Sequence, residues 1–238
     1  EISDKPIIYI INTGTAEDQV GGNAFIGMSG QTFTGGNAVA VADVGIGATI
    51  YAHENALHKM TSDPSLSPSA WPTDVFFVEA YDLYFNNQPV VLQHQPGAID
   101  NTNIIVHFRR ADVISTGKLF RLDSYPWFDI ENGGSINGIL RALNNVIELA
   151  VSDKLAEGGT LIIPGHGRIS DEGDLVRYRD MVTIIRDRIE TMIERGHTLE
   201  EIKSSKLTLD YDSRYAPENS PWTSDMFVEA VYHSLTRR

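Results

Sequence analysis

The 238-residue sequence has a hydrophobic content of 42%, enough to fill the core of one domain, so we expect a single domain over residues 1–238. The formal net charge of −13 argues against a nucleic-acid-binding surface, which is normally basic, and the absence of cysteine excludes disulfides and thiolate metal ligands. No apolar run approaches the ~20 residues that a membrane helix needs, so we expect a soluble protein, periplasmic, secreted or cytoplasmic, with no membrane partner.

The first half of the sequence predicts short strands and a few short helices. An apolar, β-branched run at 7–11 is typical of a buried strand. Residues 24–48 are rich in Gly and Ala, with a Gly35-Gly36 turn, and predict a loop and a short helix. The segments that follow are a strand at 49–52, a helix at 53–60, a loop at 62–72, two hairpin-like strands at 75–78 and 83–85, an Asn86-Asn87 turn into a strand at 90–94, and strands at 104–108 and 112–115.

The second half predicts longer helices around one further strand. Ser135 is a suitable N-cap for a helix whose apolar residues recur at helical spacing from 139 to 150. A strand at 161–163 then leads into Pro164-Gly165-His166-Gly167, and apolar residues spaced three and four apart from 175 to 192 predict a long amphipathic helix. A capping box at Thr198 and Glu201 begins a short helix, and a final helix begins near Ser224. Strands that alternate with helices indicate a layered α/β domain.

The segment from Asn12 to Asn23 carries the most specific signal. It resembles the signature of the metallo-β-lactamase superfamily, in which a strand ending in Asn-Thr leads into His-x-His-x-Asp-His and then Gly-Gly-Asn. Here Asn-Thr and Gly-Gly-Asn are present, but the three histidines are replaced by Gly14, Ala16 and Gln19. Only Asp18 of the four metal ligands is kept.

Three later motifs of the same family appear in the family's order. The second places a metal-binding His before a strand, and the matching position is Ile99. The third supplies a carboxylate that bridges two metals, and the matching residue in Thr116-Gly117-Lys118 is a lysine. The fourth, Pro-Gly-His-Gly, is intact and places His166 at the ligand position.

This resemblance implies an αββα sandwich, an α+β variant of the layered domain, and in the family a dinuclear zinc site. Each zinc ion needs three or more N, O or S donors at about 2.0–2.3 Å, and a glycine, an alanine, an isoleucine and an ammonium group provide none. We therefore expect no zinc and no other cofactor. The seven vestigial metal positions are Gly14, Ala16, Asp18, Gln19, Ile99, Lys118 and His166.

The remaining polar side chains suggest what the former metal pocket contains. Asp18, Lys118 and His166 are the candidate catalytic residues, although an Asp18–Lys118 pair is more often structural than an acid–base couple. Four further residues are candidate ligand-binding residues of the same pocket: His94, Gln19, Asn101 and Asn103. For His94 an ordinary strand histidine is the favoured interpretation.

Two other groups have ordinary explanations as well. His53-Glu54 resembles half of a metalloprotease pair, but no second His follows at the required spacing, and the start of a surface helix is the favoured interpretation. Four aromatic residues form either an apolar pocket rim or part of the core: Trp71, Tyr125, Trp127 and Phe128.

The family's usual amino-terminal strands are missing before the first motif, so the strand at 7–11 is expected to have few neighbours. We therefore expect a partner that completes the sheet: an amino-terminal fragment, a second copy of the chain or an active homologue. The favoured function is that of a pseudoenzyme in binding or assembly. The alternative is a hydrolase of esters or lactams that uses Asp18, Lys118 and His166 with a single metal or none. Whether the ligand loss is natural or engineered is left open by one sequence.

Overall fold

Two β-sheets form the centre of the protein, whose computed structural model describes residues 4–32, 47–153, 155 and 158–237. The first sheet contains three parallel strands in the order β1-β2-β3, and the second contains five in the order β4-β5-β6-β7-β8. Neighbours in the second sheet are antiparallel except β7 and β8, which are parallel. The strands are β1 Tyr9–Ile11, β2 Thr49–His53, β3 Asp74–Phe76, β4 Ala80–Phe85, β5 Gln88–His94, β6 Ile104–Phe108, β7 Val113–Arg121 and β8 Leu161–His166.

Helices cover the outer face of each sheet. In the described part of the chain they are α1 Glu17–Val20, α2 Asn23–Ser29, α3 Glu54–Thr61, α4 Ile136–Leu149, α5 Glu172–Glu194, α6 Leu199–Ser204, α7 Leu209–Tyr215 and α8 Ser224–Thr236. The predicted caps are confirmed, because the Ser135 hydroxyl accepts a hydrogen bond from the Gly138 amide and Thr198 forms a capping box with Glu201. None of the described helices is both long and apolar enough to cross a membrane.

Alternate residues of each strand face different layers, and this alternation produces the sandwich. Ile104 and Val106 of β6 pack against Tyr51 of β2 between the two sheets, whereas Ile105 belongs to the larger core beneath α4, α5 and α8. On the other side, Ile50 of β2 faces α2. The order of layers is therefore helices, sheet, sheet, helices, which is the predicted αββα arrangement.

The expected hairpin between residues 75–78 and 83–85 is wrong. β3 pairs with β2 in the first sheet, and β4 pairs with β5 in the second, so the chain crosses between the sheets after Phe76. Strand periodicity identifies strands but does not determine which neighbour each one pairs with. The turn into β5 is confirmed, since Asn86 and Asn87 both have the positive φ that a tight hairpin turn requires, 52° and 63°.

Two other sequence predictions have different outcomes. The segment between the fifth and last helices contains α7, which the periodicity did not indicate. The Gly35-Gly36 turn lies outside the described residues.

Candidate functional site

Three sequence-distant side chains meet at one edge of the sandwich. Asp18 lies on α1, which follows β1; Lys118 lies on β7; and His166 ends β8, the parallel neighbour of β7. Lys118 Nζ is 2.6 Å from Asp18 Oδ1, and His166 Nε2 is 3.7 Å from Asp18 Oδ2. The structure therefore brings together the three residues that the sequence identified as candidate catalytic residues.

Gly117 sets the position of Lys118. Its φ of 51° is left-handed, and a Cβ built on it would lie 2.5 Å from Thr13 Oγ1, so neither the conformation nor the space allows a side chain. The register of β7 and β8 also shifts on both sides of this glycine. The backbone therefore still requires glycine at position 117, although the next position, an acid in the resembling family, is Lys118.

The cluster is charged and partly open to water. Side-chain exposure is 49% for Asp18, 23% for Lys118 and 44% for His166. Partial burial alone would raise the pKa of Asp18, but the hydrogen bond and positive charge of Lys118 outweigh that effect and lower it. Asp18 is consequently ionised at neutral pH and paired with an ammonium group.

Polar side chains occupy the space at the first and third lost histidine positions, Gly14 and Gln19. Gln19 Nε2 donates to Thr13 Oγ1 at 2.9 Å. A Cβ on Gly14 would lie 2.6 Å from Gln19 Oε1 and 3.0 Å from Asn103 Nδ2. Gln19 and Asn103 thus occupy the space beside position 14. Ala16, at the second lost position, precedes α1 as its N-cap residue and provides no side-chain hydrogen bond.

The remaining lost position, Ile99, is part of the hydrophobic core. Its side chain is 6% exposed and packs in the cluster that α4, α5 and α8 cover. Asn103 is buried nearby and accepts the Asp100 amide at 3.0 Å, so its role here is to hold the loop. The Asn101 carbonyl accepts from Asn55 Nδ2 at 3.0 Å.

A stacked histidine pair lies beside this loop. The rings of His53 and His94 are 3.7 Å apart and inclined by 14°, and His94 Nε2 is 2.9 Å from the Asn101 carbonyl oxygen. Burial, followed by the proximity of His94, lowers the pKa of His53 from 6.5 to about 4. His53 caps α3 by accepting the Asn55 amide, as a helix start should, but it is only 4% exposed, so the expected surface position is wrong. Sequence reasoning missed this contact because His53 and His94 lie on different sheets.

Of the four aromatic residues, Tyr125 and Trp127 line one cavity, whereas Trp71 and Phe128 do not. Tyr125 is buried and stacks on Phe227 with ring centroids 4.6 Å apart, and Phe128 belongs to the core. Trp127 is 48% exposed. Trp71 follows a short helical turn at Pro68–Ala70, next to the buried pair Asn12 and Asn23.

The residues present do not fit a dinuclear zinc centre. Among the seven vestigial positions, the only standard ligands are the Asp18 carboxylate, already paired with Lys118, and the His166 imidazole. In the described residues, no group of three or more His, Asp or Glu side chains is arranged to hold a metal ion.

Comparison with known proteins gives matches at the level of three-dimensional structure. No protein-family model and no curated protein sequence matches the chain. The structure is similar to that of a stereoselective inverting sec-alkylsulfatase from Pseudomonas sp., with a TM-score of 0.69 and 14% identity, over 98% of this chain and 42% of that chain. A double mutant of a sec-alkyl sulfatase gives a TM-score of 0.68 at 14% identity, over 97% and 41% of the two chains.

A metallo-β-lactamase from Pontibacter korlensis overlaps less well, with a TM-score of 0.48 and 14% identity over 75% of this chain and 70% of that chain, and this overlap is too weak to support a conclusion. The chain spans about two fifths of the length of the two sulfatase structures. At 14% identity the similarity establishes the fold and not the activity. With the layer order and the four sequence motifs, it identifies the protein as one with the metallo-β-lactamase fold.

Proposed function

We propose that this domain is a pseudoenzyme, a metallo-β-lactamase-fold scaffold that has lost metal-dependent hydrolysis and acts in binding or assembly. The observation that carries the proposal is the 2.6 Å contact between Lys118 Nζ and Asp18 Oδ1. An ammonium group in this position repels a divalent cation and neutralises the carboxylate that the metal would need.

The surroundings of this ion pair support the same conclusion. A zinc ligand at position 14 would require Gln19 and Asn103 to move, because both lie within contact distance of a Cβ there. A ligand at position 99 would have to place a polar ring among buried apolar side chains. Restoring metal binding therefore requires concerted changes rather than one substitution.

Metal analysis of the purified protein tests the proposal. After equilibration with excess zinc and removal of free metal, we expect much less than one zinc per chain by elemental analysis. The matched variants are His166→Ala and His233→Ala, since His233 is a similarly exposed histidine far along the chain on α8. Stoichiometric zinc that is lost in His166→Ala and kept in His233→Ala would overturn the proposal.

A hydrolase of esters or lactams is the second candidate function. Its supporting observation is the position of His166 Nε2, 3.7 Å from Asp18 Oδ2 with the ring 44% exposed, because a carboxylate that orients an accessible imidazole is a general-base arrangement. Assays should include a secondary alkyl sulfate, since one similar structure is that of a sec-alkylsulfatase. Turnover that disappears in His166→Ala but not in His233→Ala would favour this candidate.

For the assembly role, we propose that a further strand adds beside β1. This strand is only three residues long and lies at the edge of the three-stranded sheet in the described part of the chain, next to partly buried apolar side chains. The partner is a second copy, an active homologue or an amino-terminal fragment. Light scattering and native mass spectrometry should give a mass above the 26.3 kDa of one chain. A monomer of that mass would contradict the assembly role.

A further inference from the structure

A second cavity adjoins the vestigial metal site at the end of β7, where Arg121 pairs with His166 in the register of β7 and β8. It has a volume of about 910 Å³. Residues 121–127, at and after the end of β7, form one wall, and residues 217–226, before and at the start of α8, form the other. Asp18, Lys118 and His166 do not line it. A ligand in this cavity would therefore contact none of the three residues on which the proposed function rests.

The walls of the cavity expose apolar side chains that a folded protein normally covers. Trp127 is 48% exposed and Met226 is 44% exposed, on opposite sides of the cavity, and the half-buried Trp222 adds a second indole ring. Ligand pockets of this size are typically lined by aromatic and apolar residues with a few polar groups. Covering this surface with a ligand would remove it from water and would favour binding.

One wall of the cavity is held in place by the core. The Tyr125 ring stacks on Phe227 at an interplanar angle of 5°, and its hydroxyl donates to Asp212 Oδ1 at 2.8 Å. The Tyr125 ring is fully buried, so the segment that carries Trp127 is fixed to the core two residues before it. A preformed wall lowers the conformational cost of binding.

The charges of the lining select against an anionic ligand. Arg121 Nε is 3.4 Å from Asp123 Oδ1, so these two residues form a pair without net charge. Glu218 is exposed on the rim and makes the sum of the lining charges −1, in a chain of net charge −13. A carboxylate, sulfate or phosphate would be repelled, whereas an uncharged molecule would not.

We propose that this cavity binds an uncharged small molecule with a mainly apolar body, aromatic or branched, that packs between Trp127 and Met226. Specificity for the neutral form follows from the acidic rim. The ring surfaces and the methionine, which adapts its shape readily, provide most of the contact area.

Two fluorescent probes that differ by one charged group test the proposal. N-phenylnaphthylamine is neutral, and anilinonaphthalene sulfonate has the same ring system with an added sulfonate. We expect the neutral probe to bind the full chain with quenching of tryptophan fluorescence, and the sulfonate to bind about tenfold more weakly or not at all.

Variants assign the binding to the cavity. Trp127→Ala and Met226→Glu should each weaken binding of the neutral probe by about tenfold or more, and Trp127→Phe should keep most of it. The control is Met28→Glu on α2, where the side chain is 66% exposed but lies elsewhere in the fold. Circular dichroism and the thermal midpoint confirm that each variant is folded.

Three outcomes would overturn the proposal. One is no binding of the neutral probe by the folded wild-type chain at about 100 μM, which would place the dissociation constant well above that concentration. The second is binding that Met28→Glu abolishes while Trp127→Ala and Met226→Glu keep it. The third is equal or tighter binding of the sulfonate, which would show that the cavity accepts anions.

Discussion

The vestigial metal site has two sides that lost their ligands in different ways. The open side consists of Asp18, Lys118 and His166, which are charged or polar and partly exposed. The closed side consists of Ile99, which is buried in the main core. The stacked rings of His53 and His94 lie beside the loop that follows Ile99, and His53 is also buried. On the open side an ammonium group lies against the Asp18 carboxylate, and on the closed side apolar packing surrounds the former ligand position. The closed side should therefore contribute to stability, whereas the open side should contribute little.

The largest expected effect lies on the closed side, at Ile99. Its side chain is 6% exposed within the main core, so Ile99→Ala should lower the free energy of unfolding by about 4 kcal/mol and the smaller change Ile99→Val by about 1 kcal/mol. Denaturant unfolding measures both. A cost below about 1 kcal/mol for Ile99→Ala would mean that this position is not core and that the two sides do not differ.

The second expected effect is a pH dependence due to His53. Its folded-state pKa of about 4 lies below the ordinary 6.5, so the unfolded chain binds a proton that the native protein excludes. The contribution of neutral His53 to the free energy of unfolding is fully present above pH 6.5. It falls by about 3 kcal/mol as the pH drops from there towards 4. His53→Asn keeps an N-cap and removes the titration.

Unfolding measured at several pH values checks this expectation. The pH dependence between 6.5 and 4 should become shallower in His53→Asn, leaving the part due to His107, whose pKa burial also lowers. It should persist in full in His197→Asn, a control at a half-exposed histidine near α6. If His53→Asn leaves the slope unchanged, the stacked pair is not the source of the pH dependence.

A smaller effect is expected where the two sides meet, at Gly14. The added methyl group of Gly14→Ala would lie 2.6 Å from Gln19 Oε1, so Gln19 has to move and lose its hydrogen bond to Thr13. In a Gln19→Ala background the contact with Gln19 is absent, and only the 3.0 Å approach to Asn103 Nδ2 remains. A double-mutant cycle should therefore give a coupling energy of about 1 kcal/mol between the two positions, and a value near zero would show that Gln19 does not fill this space.

The smallest effect is expected on the open side. The Asp18 carboxylate is 49% exposed, so Asp18→Asn should change the free energy of unfolding by less than about 1 kcal/mol, and added salt should reduce the difference. Since Lys118 lowers the pKa of Asp18, this contribution exists above pH 3.8 and disappears as the pH falls through the lowered value. A cost above about 2 kcal/mol would indicate that the open side is a structural ion pair.

The sequence predicted the parts of the site that depend on local spacing. The Asn-Thr and Gly-Gly-Asn frame indicated a preserved backbone, and Asn12 and Asn23 do exchange two side-chain hydrogen bonds, of 3.0 and 2.8 Å. The meeting of Asp18, Lys118 and His166 followed from motif order in the resembling family. In both cases the information lies within a motif or in its position relative to another.

The features that the sequence did not predict depend on packing between sheets. The contact of His53 with His94 requires β2 and β5 to face each other, and no periodicity along either strand encodes that distance. The pairing of β3 with β2 was missed for the same reason. Likewise, Trp127 and Met226 lie a hundred residues apart, and only the fold places them around one cavity.

Thermal unfolding with and without zinc tests most directly whether Lys118 has replaced the metal. We expect the same midpoint in excess chelator and in excess zinc, because a ligand stabilises a protein only if the native state binds it. A zinc site of the family's kind would instead raise the free energy of unfolding by about 4 kcal/mol at a roughly thousandfold excess over its dissociation constant. A zinc-dependent rise of that size that His166→Ala abolishes would show that the metal site is still functional and that Lys118 has not replaced the metal.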